Sequence, residues 1–69
     1  MSEKVNPDVI GSKLRTLRGE KTLEEAAKEL DISPSTLGMY EQGRRIPRDN
    51  VKIRIAKFYN VSIEEIFFS

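Results

Sequence analysis

Residues 22–43 decide the fold: Thr22-Leu23-Glu24-Glu25-Ala26-Ala27-Lys28-Glu29-Leu30-Asp31-Ile32-Ser33-Pro34-Ser35-Thr36-Leu37-Gly38-Met39-Tyr40-Glu41-Gln42-Gly43. Thr22 and Glu25 have the spacing of a capping box, and Leu23, Ala26, Ala27 and Leu30 then recur at the helical period. The pattern stops at Asp31, and Ile32 follows as an apolar plug. Ser33-Pro34 opens a second helix, because serine accepts from free helix amides and proline suits the first helical position. Leu37 and Tyr40 form the inner face of that helix, and Gly43 ends it. The stretch is therefore two short helices joined by a three-residue turn. A turn this short sets its helices at a steep angle and requires a small residue where they cross, a place that Ala27 fits. The N-terminal end of the second helix is then held away from the body, free to enter a major groove.

Working outward, every other segment is also helical in period. The first helix starts at Asn6-Pro7-Asp8, with Asn6 as cap and Asp8 at the positive end of the dipole. Ile10, Leu14 and Leu17 share one face, Gly11 weakens the helix by about 1 kcal/mol relative to alanine, and Gly19 supplies its end. Gly43-Arg44-Arg45-Ile46-Pro47 is a loop with Ile46 as its apolar anchor. The fourth helix starts near Arg48 or Asp49 and ends at Asn60, with Val51, Ile55, Ala56 and Tyr59 on one face. The fifth starts at Ser62, again with a glutamate, Glu65, three residues on. Ile63, Ile66 and Phe67 are its apolar side. No stretch alternates with period two, so the expectation is all-α: one compact five-helix bundle.

The chain has 69 residues, enough for one core and no second lobe. No apolar run approaches a membrane span, and residues 1–7 have no apolar core of a signal peptide, so the expected location is the cytoplasm. The absence of cysteine and histidine excludes disulfides and the usual zinc ligands, and it removes the commonest general base. No metal, cofactor or catalytic group is expected, and a chain this small rarely encloses a substrate pocket. A binding module is the default reading.

Net charge is only +1, but its distribution is uneven. Residues 13–21 carry a net +3, residues 24–41 a net −4 and residues 44–57 a net +5. Such segregation can fold into a positive face, a modest pointer to nucleic acid.

Four stretches in order resemble the Cro/repressor-type (XRE) family of helix-turn-helix regulators. Ala27 to Leu37 resembles its helix-turn-helix core, and Tyr40-Glu41-Gln42-Gly43-Arg44-Arg45-Ile46-Pro47 its Tyr-Glu-x-Gly-x-x-x-Pro stretch. Ile55 to Ile66 is similar to its last helices, and Ile10 to Arg18 to its first. Asp31 stands where glycine is common, at a larger cost for positive φ. The resemblance implies an N-terminal arm and first-helix cap at residues 1–8 and a DNA-binding domain of the phage repressor type at 9–69. It also implies a homodimer, of bacterial or phage kind, that regulates transcription, as a repressor, with a recognition helix of about residues 34–42 in the major groove of double-stranded DNA. A protein-interaction module such as an antitoxin, with DNA binding secondary, is the alternative.

Carried over residue by residue, the base-facing positions are Pro34, Ser35, Thr36, Gly38, Met39 and Gln42. Ser35, Thr36 and Gln42 can hydrogen-bond, while Pro34, Met39 and the Thr36 methyl can touch thymine methyls. Met39 is not core filler, because Leu37 and Tyr40 already define the inner face. No Arg, Lys or Asn is among these positions, so affinity should rest largely on phosphate contacts and on DNA shape. The phosphate candidates are Lys21, Thr22, Ser33, Arg44, Arg45 and Arg48. Lys52, Arg54 and Lys57 are read as an ordinary helix exterior. Glu41 would repel phosphate, and the resemblance pairs it with Arg18, Arg15 being the fallback. The apolar C-terminal run supplies the expected dimer contact, Ile63, Phe67 and Phe68, with one of the two phenylalanines able to cap the core.

Overall fold

The computed structural model describes residues 6–68. They form α1 (Pro7–Arg18), α2 (Leu23–Leu30), α3 (Pro34–Glu41), α4 (Asp49–Tyr59) and α5 (Ile63–Phe67). Of the expected N-terminal arm, residues 1–5 lie outside the described residues.

Local chemistry starts four of the five helices. The Asn6 side chain accepts from the amides of Asp8 and Val9. Thr22 and Ser62 each form a complete capping box with Glu25 and Glu65, and Ser33 accepts from the Thr36 amide. Each such cap is worth about 1 kcal/mol. Only α4 begins without a side-chain cap, at Arg48.

Three of the five helices, α2, α3 and α4, end by one repeated device. Asp31, Gly43 and Asn60 all have positive φ, at 62°, 77° and 59°. After each, the chain turns back so that Ile32 donates to the Ala27 carbonyl, Arg44 to Met39 and Val61 to Ala56, all at 2.9–3.0 Å. These are Schellman ends, which satisfy carbonyls the helix leaves over. After Asp31 and Asn60 a β-branched apolar residue and a capping serine follow, so α2–α3 and α4–α5 share one connector.

The core gathers Ile10, Leu14, Ala26, Ala27, Leu30, Leu37, Tyr40, Ile55, Ile66 and Phe67. α1 packs on α3 and α5, α2 on α3 and α4, and α4 on α5. The crossing of α1 and α3 depends on Gly11. A Cβ there would stand 2.8 Å from the Glu41 carbonyl carbon and 2.9 Å from the Tyr40 oxygen, and closer still to the Glu41 oxygen. Ala26 and Ala27 are fully buried where α2 is crossed.

Three expectations need correction. Ile46 does not anchor its loop: it is 41% exposed, and buried Pro47 takes the inward place. Phe67 belongs to the core at 2% exposure and offers no ring to a partner, whereas Phe68 is 57% exposed. The exterior reading of Lys52 and Arg54 fails as well. Lys52 Nζ lies over the rings of Phe67 and Phe68, at 5.5 and 5.3 Å from their centroids. Arg54 donates to the Leu30 carbonyl at 2.8 Å, bracing the end of α2 from behind.

Candidate nucleic-acid interface

α3 presents two unlike faces. Leu37, Gly38 and Tyr40 are buried, while Pro34, Ser35, Met39 and Gln42 are exposed and Thr36 is half-buried. Ser35, Met39 and Gln42 follow the i, i+4, i+7 spacing and therefore form one stripe, roughly opposite Leu37. Gln42 continues the stripe because its backbone stays helical at the end of α3.

Gly38 does not belong to that stripe. A Cβ at Gly38 would meet the Leu23 side chain at 3.8 Å, so this position faces α2 and is not available to a base. Ser33 is also more committed than its residue type suggests. Its hydroxyl accepts from the Thr36 amide and donates to Thr36 Oγ1 at 2.9 Å. Thr36 keeps its own hydroxyl hydrogen to give.

The one acidic residue of α3 is neutralised. Arg18 Nε donates to Glu41 Oε2 at 2.8 Å and a terminal nitrogen donates to Oε1 at 3.0 Å. The two side chains are only 15% and 6% exposed. The fork geometry suits a carboxylate and fixes both partners. The hydrogen bond to Glu41 holds the Arg18 guanidinium above its ordinary pKa against the opposing effect of burial. The remaining Arg18 nitrogen donates to the Lys21 carbonyl, tying down the approach to α2. Beside this pair the Tyr59 hydroxyl is buried with no hydrogen-bond partner. Burial pushes the Tyr59 phenol up, Glu41 pushes it further and Arg18 opposes them.

The expected phosphate-binding residues precede α3 at Lys21, Thr22 and Ser33 and follow it at Arg44, Arg45 and Arg48. The Thr22 amide is engaged by Glu25 and its oxygen by the Glu25 amide, which leaves only the hydroxyl hydrogen to donate. Lys21 is half-exposed and stands 3.9 Å from Glu29. Arg44, Arg45 and Arg48 are all exposed. The Gly43 turn aims this loop: the Arg44 amide returns to Met39, and the start of α1 packs against Gly43 through Asp8. Of the expected dimer contacts, Phe68 is exposed and Ile63 half-buried.

Sequence reasoning missed Arg54. It reaches back 24 residues to the turn between α2 and α3, and no local pattern announces such a contact. Its guanidinium also stands 3.9 Å from Asp31, the left-handed residue of that turn.

Two helices across a tight turn, the second with an outward polar-and-apolar stripe and a basic loop after it, define a helix-turn-helix DNA-binding domain. The chain belongs to the HTH_3 helix-turn-helix family, of the Cro/C1 type, which matches residues 13–66 and comprises non-enzymatic DNA-binding transcriptional regulators. It is 37% identical over 60 residues to the cryptic phage CTXphi transcriptional repressor RstR of Vibrio cholerae, covering 84% of this chain and 54% of that protein. The chain thus spans about half the length of RstR. It is 41% identical over 46 residues to the HTH-type transcriptional regulator MJ0272 of Methanocaldococcus jannaschii, 67% of this chain and 70% of that one. Among solved structures, the SOS-response repressor LexA of Eubacterium rectale superposes with a TM-score of 0.83 at 25% identity, over 96% of this chain and 72% of that chain. The clp gene regulator ClgR of Corynebacterium glutamicum does so at 0.79 and 25%, over 94% and 71%. No helix among the described residues is long and apolar enough to cross a membrane.

Proposed function

We propose that this chain is a cytoplasmic, sequence-specific repressor that binds double-stranded DNA as a homodimer, with α3 in the major groove. The observation that carries the reading is the exposed stripe of Ser35, Met39 and Gln42, set beside an acid already neutralised by Arg18. Ser35, Thr36 and Gln42 offer hydrogen bonds to base edges, and Pro34 and Met39 offer apolar contact. Lys21, the Thr22 hydroxyl and Arg44, Arg45 and Arg48 hold phosphates on either side and so fix the register. Ser33 adds least, since its hydroxyl is already engaged. The repressor assignment takes its support from the likeness to RstR. A second copy meets the first through Phe68 and Ile63, and pairing raises affinity by linking two half-sites.

Selection of bound sequences from random duplex DNA tests this. The expected product is a two-fold symmetric motif with half-sites about 34–36 Å apart, one helical turn. An asymmetric motif of a single half-site refutes the dimer. No enrichment at all refutes the duplex reading and favours a protein-interaction module such as an antitoxin.

A further inference from the structure

We propose that Arg54 is a positioning residue for DNA binding: from α4 it fixes the turn between α2 and α3 and so sets the angle at which α3 meets the duplex. This rests on the duplex reading above and adds to it a residue that acts through the turn.

The turn has little of its own to hold it. A helix leaves its last four carbonyls without internal partners. In α2 the amides of Ile32 and Asp31 serve the carbonyls of Ala27 and Lys28, at 3.0 and 3.2 Å. The Leu30 carbonyl is nearest the turn. Four residues on, where a helical amide would stand, is Pro34, which has none. Arg54 supplies the donor instead, at 2.8 Å and in a part-buried place. It also brings a positive charge to the negative end of α2. The turn residue itself is costly, because Asp31 holds φ at 62° without being glycine.

Two groups face the Arg54 guanidinium, and the carbonyl is the anchor. The Asp31 carboxylate is 3.9 Å away and its side chain is 97% exposed, so water and salt screen it. Leu30, by contrast, is locked in the core at 1% exposure. Residues 31–33 alone separate it from the first residue of α3, so any swing of the last turn of α2 passes to the whole exposed stripe. A chain whose turn visits other poses binds with an apparent affinity reduced by the fraction in the competent pose.

The test uses the full chain and the duplex recovered by selection, with affinities read by fluorescence anisotropy. Arg54→Met keeps the apolar stem and removes the donor. It should bind that duplex about tenfold more weakly, the size of one lost charge-assisted hydrogen bond, and lose much less on random-sequence duplex. Its log–log salt slope should equal the parent's, since no phosphate contact is lost. Arg54→Lys, which keeps a charged donor, should recover part of the loss. Hydrogen exchange in Arg54→Met should quicken at the Asp31 and Ile32 amides and not in α5. The loss should persist in an Asp31→Gly chain, where glycine takes the left-handed conformation freely. That background also serves if Arg54→Met alone does not fold. An enriched duplex that Arg54→Met binds as tightly as the parent overturns the inference alone, as does an equal loss on random-sequence duplex. A salt slope reduced by about 0.9 overturns it too, because Arg54 then contacts phosphate directly. Failure of the parent to enrich any duplex overturns the duplex reading and this inference together.

Discussion

Replacing Gly11 by alanine sets two effects of opposite sign against each other. Gly11 lies inside α1, where alanine is worth about 1 kcal/mol more than glycine through helix propensity. The added methyl, however, would stand 2.8 Å from the Glu41 carbonyl carbon and 2.9 Å from the Tyr40 oxygen. Non-bonded carbons settle near 3.5–4.0 Å, and these atoms are helix backbone that cannot rotate away, so α1 must back off from α3 by roughly 1 Å. Overpacking of this kind costs about 1–3 kcal/mol, and the shift also stretches the Arg18–Glu41 fork that spans the same two helices. The net expectation is a loss of about 1–2 kcal/mol from a total of about 3–10 for a domain of this length. Gly38→Ala is the matched control. Its methyl meets only the Leu23 side chain, at an ordinary 3.8 Å, so the propensity gain survives and the variant should gain up to about 1 kcal/mol. Urea denaturation followed by far-ultraviolet circular dichroism measures both on one scale. If Gly11→Ala is as stable as the parent, or if both variants move in the same direction, the close-approach argument is wrong.

Three further outcomes follow from particular residues. Arg44→Ala with Arg45→Ala should weaken binding to all duplexes alike and reduce the log–log salt slope by about 0.9 for each lost phosphate contact; an unchanged slope removes these arginines from the interface. Tyr59 carries a phenol whose pKa burial raises, so between the unfolded value, about 10, and the higher folded value the native state holds more protons than the unfolded state. Stability should therefore fall as pH rises past that point, and Tyr59→Phe, which deletes an unpartnered buried hydroxyl, should flatten this alkaline loss in thermal melts without lowering stability at neutral pH. Phe68→Asp should leave the helical spectrum intact, given 57% exposure, while shifting sedimentation toward monomer and weakening operator binding; an unfolded variant would instead place this ring in the core.

The parts of the fold that were legible in the sequence are those whose physics is local. Asn6, Thr22, Ser33 and Ser62 all cap within three residues of themselves, so the starts of their helices could be read without tertiary knowledge. Ala27 and Leu37 were legible because a short turn leaves little choice about the crossing. Phasing a short helix is harder. Phe67 and Phe68 are adjacent at the end of a five-residue helix, too short for its period to say which ring turns inward. Gly38 lies on the flank of its helix, where Leu23 of a different element decides the matter. The Arg18–Glu41 fork came from family resemblance, since a separation of 23 residues carries no signal of its own. Arg54 and Lys52 bind groups that only the assembled bundle brings near.

The connector shared by α2–α3 and α4–α5 bears on how the chain reaches this structure. Each pair of helices is closed by a turn whose hydrogen bonds span only three to five residues, so both hairpins can form from neighbouring chain segments. α1 is different: it touches α3 and, across most of the chain, α5. Ring closure over that distance is the slow event in a mostly local topology, and the transition state is then set by when α1 docks. Crowding at Gly11 should accordingly register in the refolding limb of a chevron if α1 docks before the barrier, and in the unfolding limb if it docks after.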